Sequence, residues 1–345
     1  MGSLAEEAQA ARRRAAARRG RLSAESPLLG GPIDSVAGAE DPRPTTGSYD
    51  PTDDPYELPT PDEGDDQLDL DPRVLRNLIP ARDTSREVDD WGRSERVFSL
   101  LEPMLNFYYR YWFRVEQHGI HNVPSEGGAL LVSNHSGALP PDAPMIMQAI
   151  RNEHASPRPL YMLGEHWFKG YPGVGMLANK IGLVSANAAN AQRLLRDEGR
   201  LVIVFPEGQK GSRKLYWQRY TLRRFGRGGF IKTALRAGVP VVPLAVIGAE
   251  EAMPIFAHVP LLQRLTGLLY FPINHAFPHF GLAATMMYLP AKFKIHFLEP
   301  IHFDGYRPQD ADDLELVQRL AEEVRARIQE EVDRMIAERS SVWFG

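Results

Sequence analysis

The sequence predicts an α/β fold, a mostly parallel sheet covered by helices, preceded by a disordered N-terminal extension. Short apolar runs recur at Ala129 to Val132, Leu160 to Gly164, Arg200 to Phe205 and Pro240 to Val246, with helix-like stretches between them. Strands spaced by helices in this way pair in parallel and are buried on both faces. Two runs stop abruptly at polar or turn residues, Ser133-Asn134-His135 and Pro206-Glu207-Gly208. Buried strands end in this way, and ligands of open α/β sheets collect at such carboxyl ends.

A chain of 345 residues, 43% hydrophobic, can bury one large core, and its net charge of -4 excludes no partner class. It has no cysteine, which excludes disulfides, thiolate catalysis and cysteine metal sites. The start, MGSLAEEAQAARRRAAARRGR, lacks the apolar core of a secretory signal, so a cytoplasmic location is expected. Residues 1–84 read as a disordered tail, basic up to Arg21, then acidic and proline-rich, too poor in apolar side chains to offset the entropy of ordering.

Order is expected from about residue 85 to 339. The stretch 97–115, VFSLLEPMLNFYYRYWFRV, approaches the length of a membrane span, but Glu102, Arg110, Arg114 and Pro103 oppose one. It reads as an interfacial amphipathic helix or as an ordinary core helix. Ala129 to Val132 is the central strand, and Pro140, Pro141 and Asp142 mark a helix start. Leu160 to Gly164 reads as a strand and Trp167 to Leu183 as a loop and helix. The glycines of GYPGVGMLANKIG lack dinucleotide-fingerprint spacing. Gln192 to Glu198 is expected to be a short helix. Phe230 to Ala237 is another, stopped by Gly238.

Residues 254–291 read as an apolar lid or membrane-docking hairpin. From Leu265 to Ala291 no residue is charged if the histidines are neutral, and prolines interrupt any spanning helix. A last strand is expected at Lys292 to Phe297. An amphipathic helix follows over 310–339, with Leu314, Val317, Ala321, Val324, Ile328, Val332 and Met335 on its core face.

The chemistry concentrates at His135 and Asp142. A carboxylate against one imidazole nitrogen fixes the tautomer and stabilises the imidazolium formed when the other takes a proton. Such a pair can deprotonate an alcohol for attack on an activated acyl group. Equally, Asp142 can be a helix cap and His135 a hydrogen-bonded loop residue. Ser136 lacks the Gly-x-Ser-x-Gly surround of a nucleophile elbow. Between Lys210 and Lys232, basic and aromatic residues interleave, suiting the phosphates of a substrate or lipid. Nucleic-acid binding fits poorly beside the acidic tail and the apolar segment.

Four blocks, NHSGALPPD at 134–142, GLVSAN at 182–187, VFPEGQKGSRK at 204–214 and AGVPVVPLAV at 237–246, resemble the glycerolipid (lysophospholipid) acyltransferase superfamily over about residues 88–303. The resemblance implies O-acyl transfer from acyl-CoA or acyl carrier protein to a glycerolipid hydroxyl at a membrane surface, with no cofactor and no metal. His135 would be the general base and Asp142 its partner. Glu207 and Gly208, with Lys210 and Arg213, would hold the acceptor. Ser136, Gly137 and Lys214 would serve the oxyanion or the donor. The chain places six residues between His135 and Asp142 where the family pattern has four, and GLVSAN lacks the pattern's basic residue. The acceptor therefore reads as lysophosphatidate, with Lys210 or Arg213 supplying the charge, or as a neutral mono- or diacylglycerol. A non-catalytic lipid-binding or membrane-adaptor protein is the other reading of the stretched spacing.

Overall fold

Successive side chains of a strand point to opposite faces, so a strand covered on both sides must be apolar throughout. All five residues of Ala129–Ser133 are buried, and so are all seven of Val241–Ile247. The computed structural model describes residues 88–136, 141–164, 174–259, 272–277, 279 and 287–345. The expected tail 1–84, Gly137 and the stretches 260–271 and 280–286 of the apolar segment lie outside these residues.

The elements in chain order begin with helix α1 (Glu95–Phe107), capped by the Ser94 side chain and continued by a π-helical turn at Tyr108–Trp112. Strands β1 (Glu116–His118) and β2 (Ala129–Ser133) precede helix α2 (Asp142–Glu153), strand β3 (Leu160–Gly164) and helix α3 (Val174–Lys180). Strand β4 (Leu183–Ser185), helix α4 (Ala188–Gln192), strand β5 (Leu201–Val204), helix α5 (Gln209–Ser212) and helix α6 (Gly229–Ala237) come next. Strand β6 (Val241–Ile247) and helix α7 (Ala249–Ala252) lead to the strands β7 (Ile255–His258), β8 (Pro272–Asn274) and β9 (Lys294–Phe297), then to helix α8 (Leu314–Glu338).

The main sheet has the order β1-β9-β6-β2-β5-β3-β4. Every pairing in it is parallel except β6 with β9, where Ile247 lies opposite Lys294. Strand β2 sits between β5 and β6, Leu130 facing both Val202 and Val241. One core joins Leu130, Val132, Val202 and Val204 to Phe230 and Ile231 of α6 and Val324 and Ile328 of α8. The other joins Ala129, Leu131, Leu201 and Ile203 to Met145, Ile146 and Ile150 of α2 and to Phe113 and Phe293. Helix α2 is thereby fixed against the face from which Asp142 reaches the end of β2.

Three sequence expectations are corrected. The helix placed at Gln192 to Glu198 starts at Ala188, because the Asn187 side chain accepts from the N–H of Asn190 (2.7 Å), and it ends in a π-helical turn over Arg193–Asp197. The core face of α8 runs through Leu316 and Leu320 as well as Val317 to Met335, whereas Leu314, first after the Asp313 cap, is 49% exposed. The expected final strand is trimmed to Lys294–Phe297, and it runs antiparallel to β6. Within the apolar segment, β7 and β8 form an antiparallel pair. Among the described residues no helix is long and apolar enough to cross a membrane.

Ile328→Ala is expected to lower folding stability by about 2–5 kcal/mol, because it opens a cavity between α8 and the sheet. Leu314→Ala should change it by about 0.5 kcal/mol or less. Denaturant titration of the two variants separates the observed stripe from the one read off the sequence.

Candidate active site

Past Ser133 the β2 backbone leaves the ladder, and the Asn134 side chain takes its place. Its amide donates to the carbonyl of Val246 and its oxygen accepts that residue's N–H, both at 2.9 Å. The paired amide groups extend the contact between β2 and β6 by one step and fix where the next residue emerges. That residue is His135. Its ring stacks on Phe205, centroids 4.3 Å apart and planes inclined by 26°. Its backbone N–H donates to Glu207 Oε1 at 3.0 Å.

Asp142 is the first residue of α2 and is 1% exposed. A buried carboxylate must be hydrogen-bonded, and this one accepts from the Ser136 N–H (3.1 Å) and from the Ser136 hydroxyl (3.0 Å to Oδ1). His135 Nδ1 stands 3.3 Å from Oδ2. The positive end of α2 adds to the stabilisation of the negative charge. The six-residue spacing thus still returns Asp142 to His135, with Ser136 tying the loop from inside. An Nδ1–H donated to Asp142 leaves Nε2, on the other edge of the ring, to exchange protons with a ligand.

Both Ser136 donors are used by Asp142, so neither its N–H nor its hydroxyl is directed at a ligand. Gly137, the other expected oxyanion residue of this loop, lies outside the described residues. Gly208 adopts a left-handed φ of +53° and closes the Phe205 to Gly208 turn, its N–H donating to the Phe205 carbonyl at 2.9 Å. This turn brings Glu207 beneath His135.

The Glu207 side chain is fully buried. Oε1 receives the His135 N–H, Oε2 receives the Arg223 N–H at 2.7 Å, and the Lys214 ammonium lies 3.4 Å from Oε2. Lys214, its side chain only 2% exposed, also pairs with Glu250 Oε1 at 2.8 Å. Burial alone would depress the Lys214 ammonium, but Glu250 and Glu207 outweigh it and hold its pKa above the usual lysine value. Burial keeps the Glu250 carboxyl above the ordinary carboxylate range in spite of Lys214. Gly211 permits this packing, because a Cβ there would come within 2.6 Å of Glu207 Cβ and 3.1 Å of His135 Cβ.

The expected acceptor and donor residues therefore separate. Glu207 and Lys214 are brought to His135, yet they face each other and the backbone. Lys210 is exposed on α5 and Arg213 is partly buried just beyond it, where the Arg213 carbonyl lies 2.8 Å from the His258 ring. Asn134, Phe205, Gly211 and Glu250 were not singled out from the sequence. Only the place of Asn134 and Phe205 beside the two abrupt strand ends could have marked them. Among the described residues, no group of three or more histidine or acidic side chains is placed to hold a metal ion.

The Acyltransferase family model matches residues 114–247, which contain Asn134, His135, Asp142, Glu207 and Lys214. An uncharacterized protein of Mycobacterium tuberculosis is 42% identical over 75% of this chain and 72% of its own length. A Gallus gallus protein named "DGAT1/2-independent enzyme synthesizing storage lipids" is 26% identical over 63% of this chain and 60% of its own. Among solved structures, the 1-acyl-sn-glycerophosphate (LPA) acyltransferase PlsC of Thermotoga maritima superposes with a TM-score of 0.47 at 18% identity, covering 78% of this chain and 88% of that one. With its four sequence blocks, its mostly parallel sheet and the His135–Asp142 pair at the end of the central strand, the chain belongs to the glycerolipid acyltransferase superfamily and is an acyltransferase.

Proposed function

We propose that the protein transfers a fatty acyl group from an acyl thioester, acyl-CoA or acyl carrier protein, to a hydroxyl of a glycerolipid, working at the cytoplasmic face of a membrane. The observation that carries this reading is the contact of His135 Nδ1 with the buried Asp142 carboxylate. It leaves Nε2 as the base. Nε2 removes the acceptor hydroxyl proton as that oxygen attacks the thioester carbonyl carbon. The tetrahedral intermediate collapses with cleavage of the C–S bond, and the imidazolium returns the proton to the departing thiolate. Asp142 holds the tautomer and stabilises the imidazolium. With Ser136 engaged by Asp142, its two donors do not serve the oxyanion.

For the acceptor we favour a neutral mono- or diacylglycerol. The block GLVSAN at 182–187 carries no basic residue to meet an acceptor phosphate. The Gallus gallus relative is named for the synthesis of storage lipids, which also fits a neutral acceptor. Lysophosphatidate would rely on Lys210 or Arg213. Glu207, in this reading, is a positioning residue: it receives the N–H of His135 and sets the height of the ring over Phe205.

Thiol release from palmitoyl-CoA is expected to depend on added monoacylglycerol or diacylglycerol more than on lysophosphatidate. His135→Ala should lower kcat/KM by about 10²–10⁴-fold. Acceptor-independent thiol release, or full activity in His135→Ala, contradicts the mechanism. Lipid binding without turnover on either type of donor would point to a binding protein built on the same scaffold.

Glu207→Gln separates positioning from acceptor contact. The expected result is a kcat lowered by about tenfold or more with the acceptor KM little changed, as for an interaction made in the transition state alone. A KM rise at constant kcat would make Glu207 an acceptor ligand instead.

A further inference from the structure

Phe205 follows the last residue of β5 and precedes Pro206, and a residue before proline is held in extended backbone. It therefore prolongs the alternation of Leu201 and Ile203 and packs on the same core, the one that α2 covers. Strands β2 and β5 are in register at this end, Val132 opposite Val204. Just past the two strand ends the rings of Phe205 and His135 stack, with centroids 4.3 Å apart.

The other contacts of His135 leave the plane of its ring underdetermined. Glu207 holds the backbone through the His135 N–H (3.0 Å), and Gly211 brings α5 close to His135 Cβ, to which a Cβ on Gly211 would come within 3.1 Å. Asp142 Oδ2 selects the edge that carries Nδ1, but at 3.3 Å this is a long hydrogen bond and a loose restraint on angle. The second side-chain torsion of a histidine is broad. A covering ring on one face supplies the missing restraint.

A phenyl ring also does what an aliphatic side chain of similar bulk would not. Its face is the negative part of the ring quadrupole, and a cation within about 6 Å of the centroid is attracted to it. His135 becomes that cation when Nε2 takes the acceptor hydroxyl proton. Its side chain is 16% exposed, so water screens little of the attraction. The charged groups around the ring are Asp142 from α2 and Glu207 from the turn after β5, with Lys214 and Glu250 paired behind Glu207 and Lys210 exposed on α5. Asp142 stabilises the cation at its Nδ1 edge. Phe205 does so across the plane and adds no charge.

We propose that Phe205 is a positioning residue of acyl transfer: its ring fixes the plane of the His135 imidazole and stabilises the imidazolium formed as the acceptor hydroxyl is deprotonated. The proposal rests on the acyl-transfer reading above and gives strand β5 a share in setting the strength of the base. Because Phe205 acts through His135, its loss is felt in kcat and in the pH profile rather than in acceptor binding.

The test uses the full chain with Phe205→Leu, Phe205→Tyr and a trifluorinated phenylalanine at position 205. Leucine removes the aromatic face at similar bulk, tyrosine keeps it, and fluorine withdraws its negative potential with little change of shape. Acyl transfer from palmitoyl-CoA to monoacylglycerol is followed across the pH range in which histidine titrates, and the His135 ring is titrated by nitrogen-15 NMR, which needs no turnover. With leucine or the fluorinated ring, kcat is expected to fall about three- to thirtyfold at unchanged acceptor KM. The acid limb of kcat/KM and the NMR midpoint move together to lower pH by about half a unit to one and a half units, because the imidazolium then gives up its proton more readily. Phe205→Tyr stays close to the parent protein in both. A limb and midpoint that stay in place with the fluorinated ring overturn the proposal, whatever Phe205→Leu does to kcat, because packing alone then accounts for the loss. A tyrosine variant as impaired as the leucine one overturns it as well. If no form transfers acyl groups but the midpoint still follows the aromatic face, the stabilisation of the His135 cation by Phe205 stands and the acyl-transfer reading falls.

Discussion

Everything at this site depends on one buried carboxylate. Asp142 is sealed from water, and an isolated charge there would cost several kcal/mol. The cost is offset by two Ser136 donors, His135 Nδ1 and the start of α2. That requirement fixes the short loop after β2 and orients the imidazole. It also explains why helix α2 must pack closely on the sheet: Met145, Ile146 and Ile150 anchor the helix whose first residue is the charge.

The opposite side of His135 is held by a second buried network that reaches far along the chain. Lys214 joins Glu207 to Glu250, and Glu250 accepts the Tyr220 N–H. Tyr220 has a φ of +63°, a conformation costing about 1–3 kcal/mol in a non-glycine residue. It is pinned at every polar atom. Its hydroxyl meets Glu251 and Arg339 and its carbonyl accepts from Gln329, so α8 and its C-cap brace the segment whose Arg223 N–H donates to Glu207. A helix whose apolar stripe is ordinary core packing thus also supplies polar contacts to the loop beneath His135.

The sequence made the sheet legible because uncharged runs such as Ala129 to Val132 and Pro240 to Val246 leave few alternatives. The pair His135 and Asp142 was legible because each falls at an element boundary. Glu207 was found, but not its bonds to the N–H groups of His135 and Arg223, since a side chain that receives backbone N–H groups leaves no periodic trace. The burial of Lys214, expected to serve the oxyanion or the donor, was not legible because its partners Glu207 and Glu250 are 7 and 36 residues away. Leu314 was counted in the core face of α8 although it is exposed at the first position of the helix, because apolar spacing does not say where a capped helix begins to pack. The short strands β1 and β4, three residues each, were missed because they owe their existence to neighbouring strands rather than to their own composition.

The contact of His135 Nδ1 with Asp142 Oδ2 calls for a neutral ring with the proton on Nδ1. Nitrogen-15 NMR of the histidine rings, assigned by His135→Gln, tests it directly at a pH where the ring is neutral. A protonated Nδ1 and an unprotonated Nε2 are expected for His135, with this preference lost in Asp142→Ala. A neutral ring carrying its proton on Nε2, or a tautomer indifferent to Asp142, would contradict it.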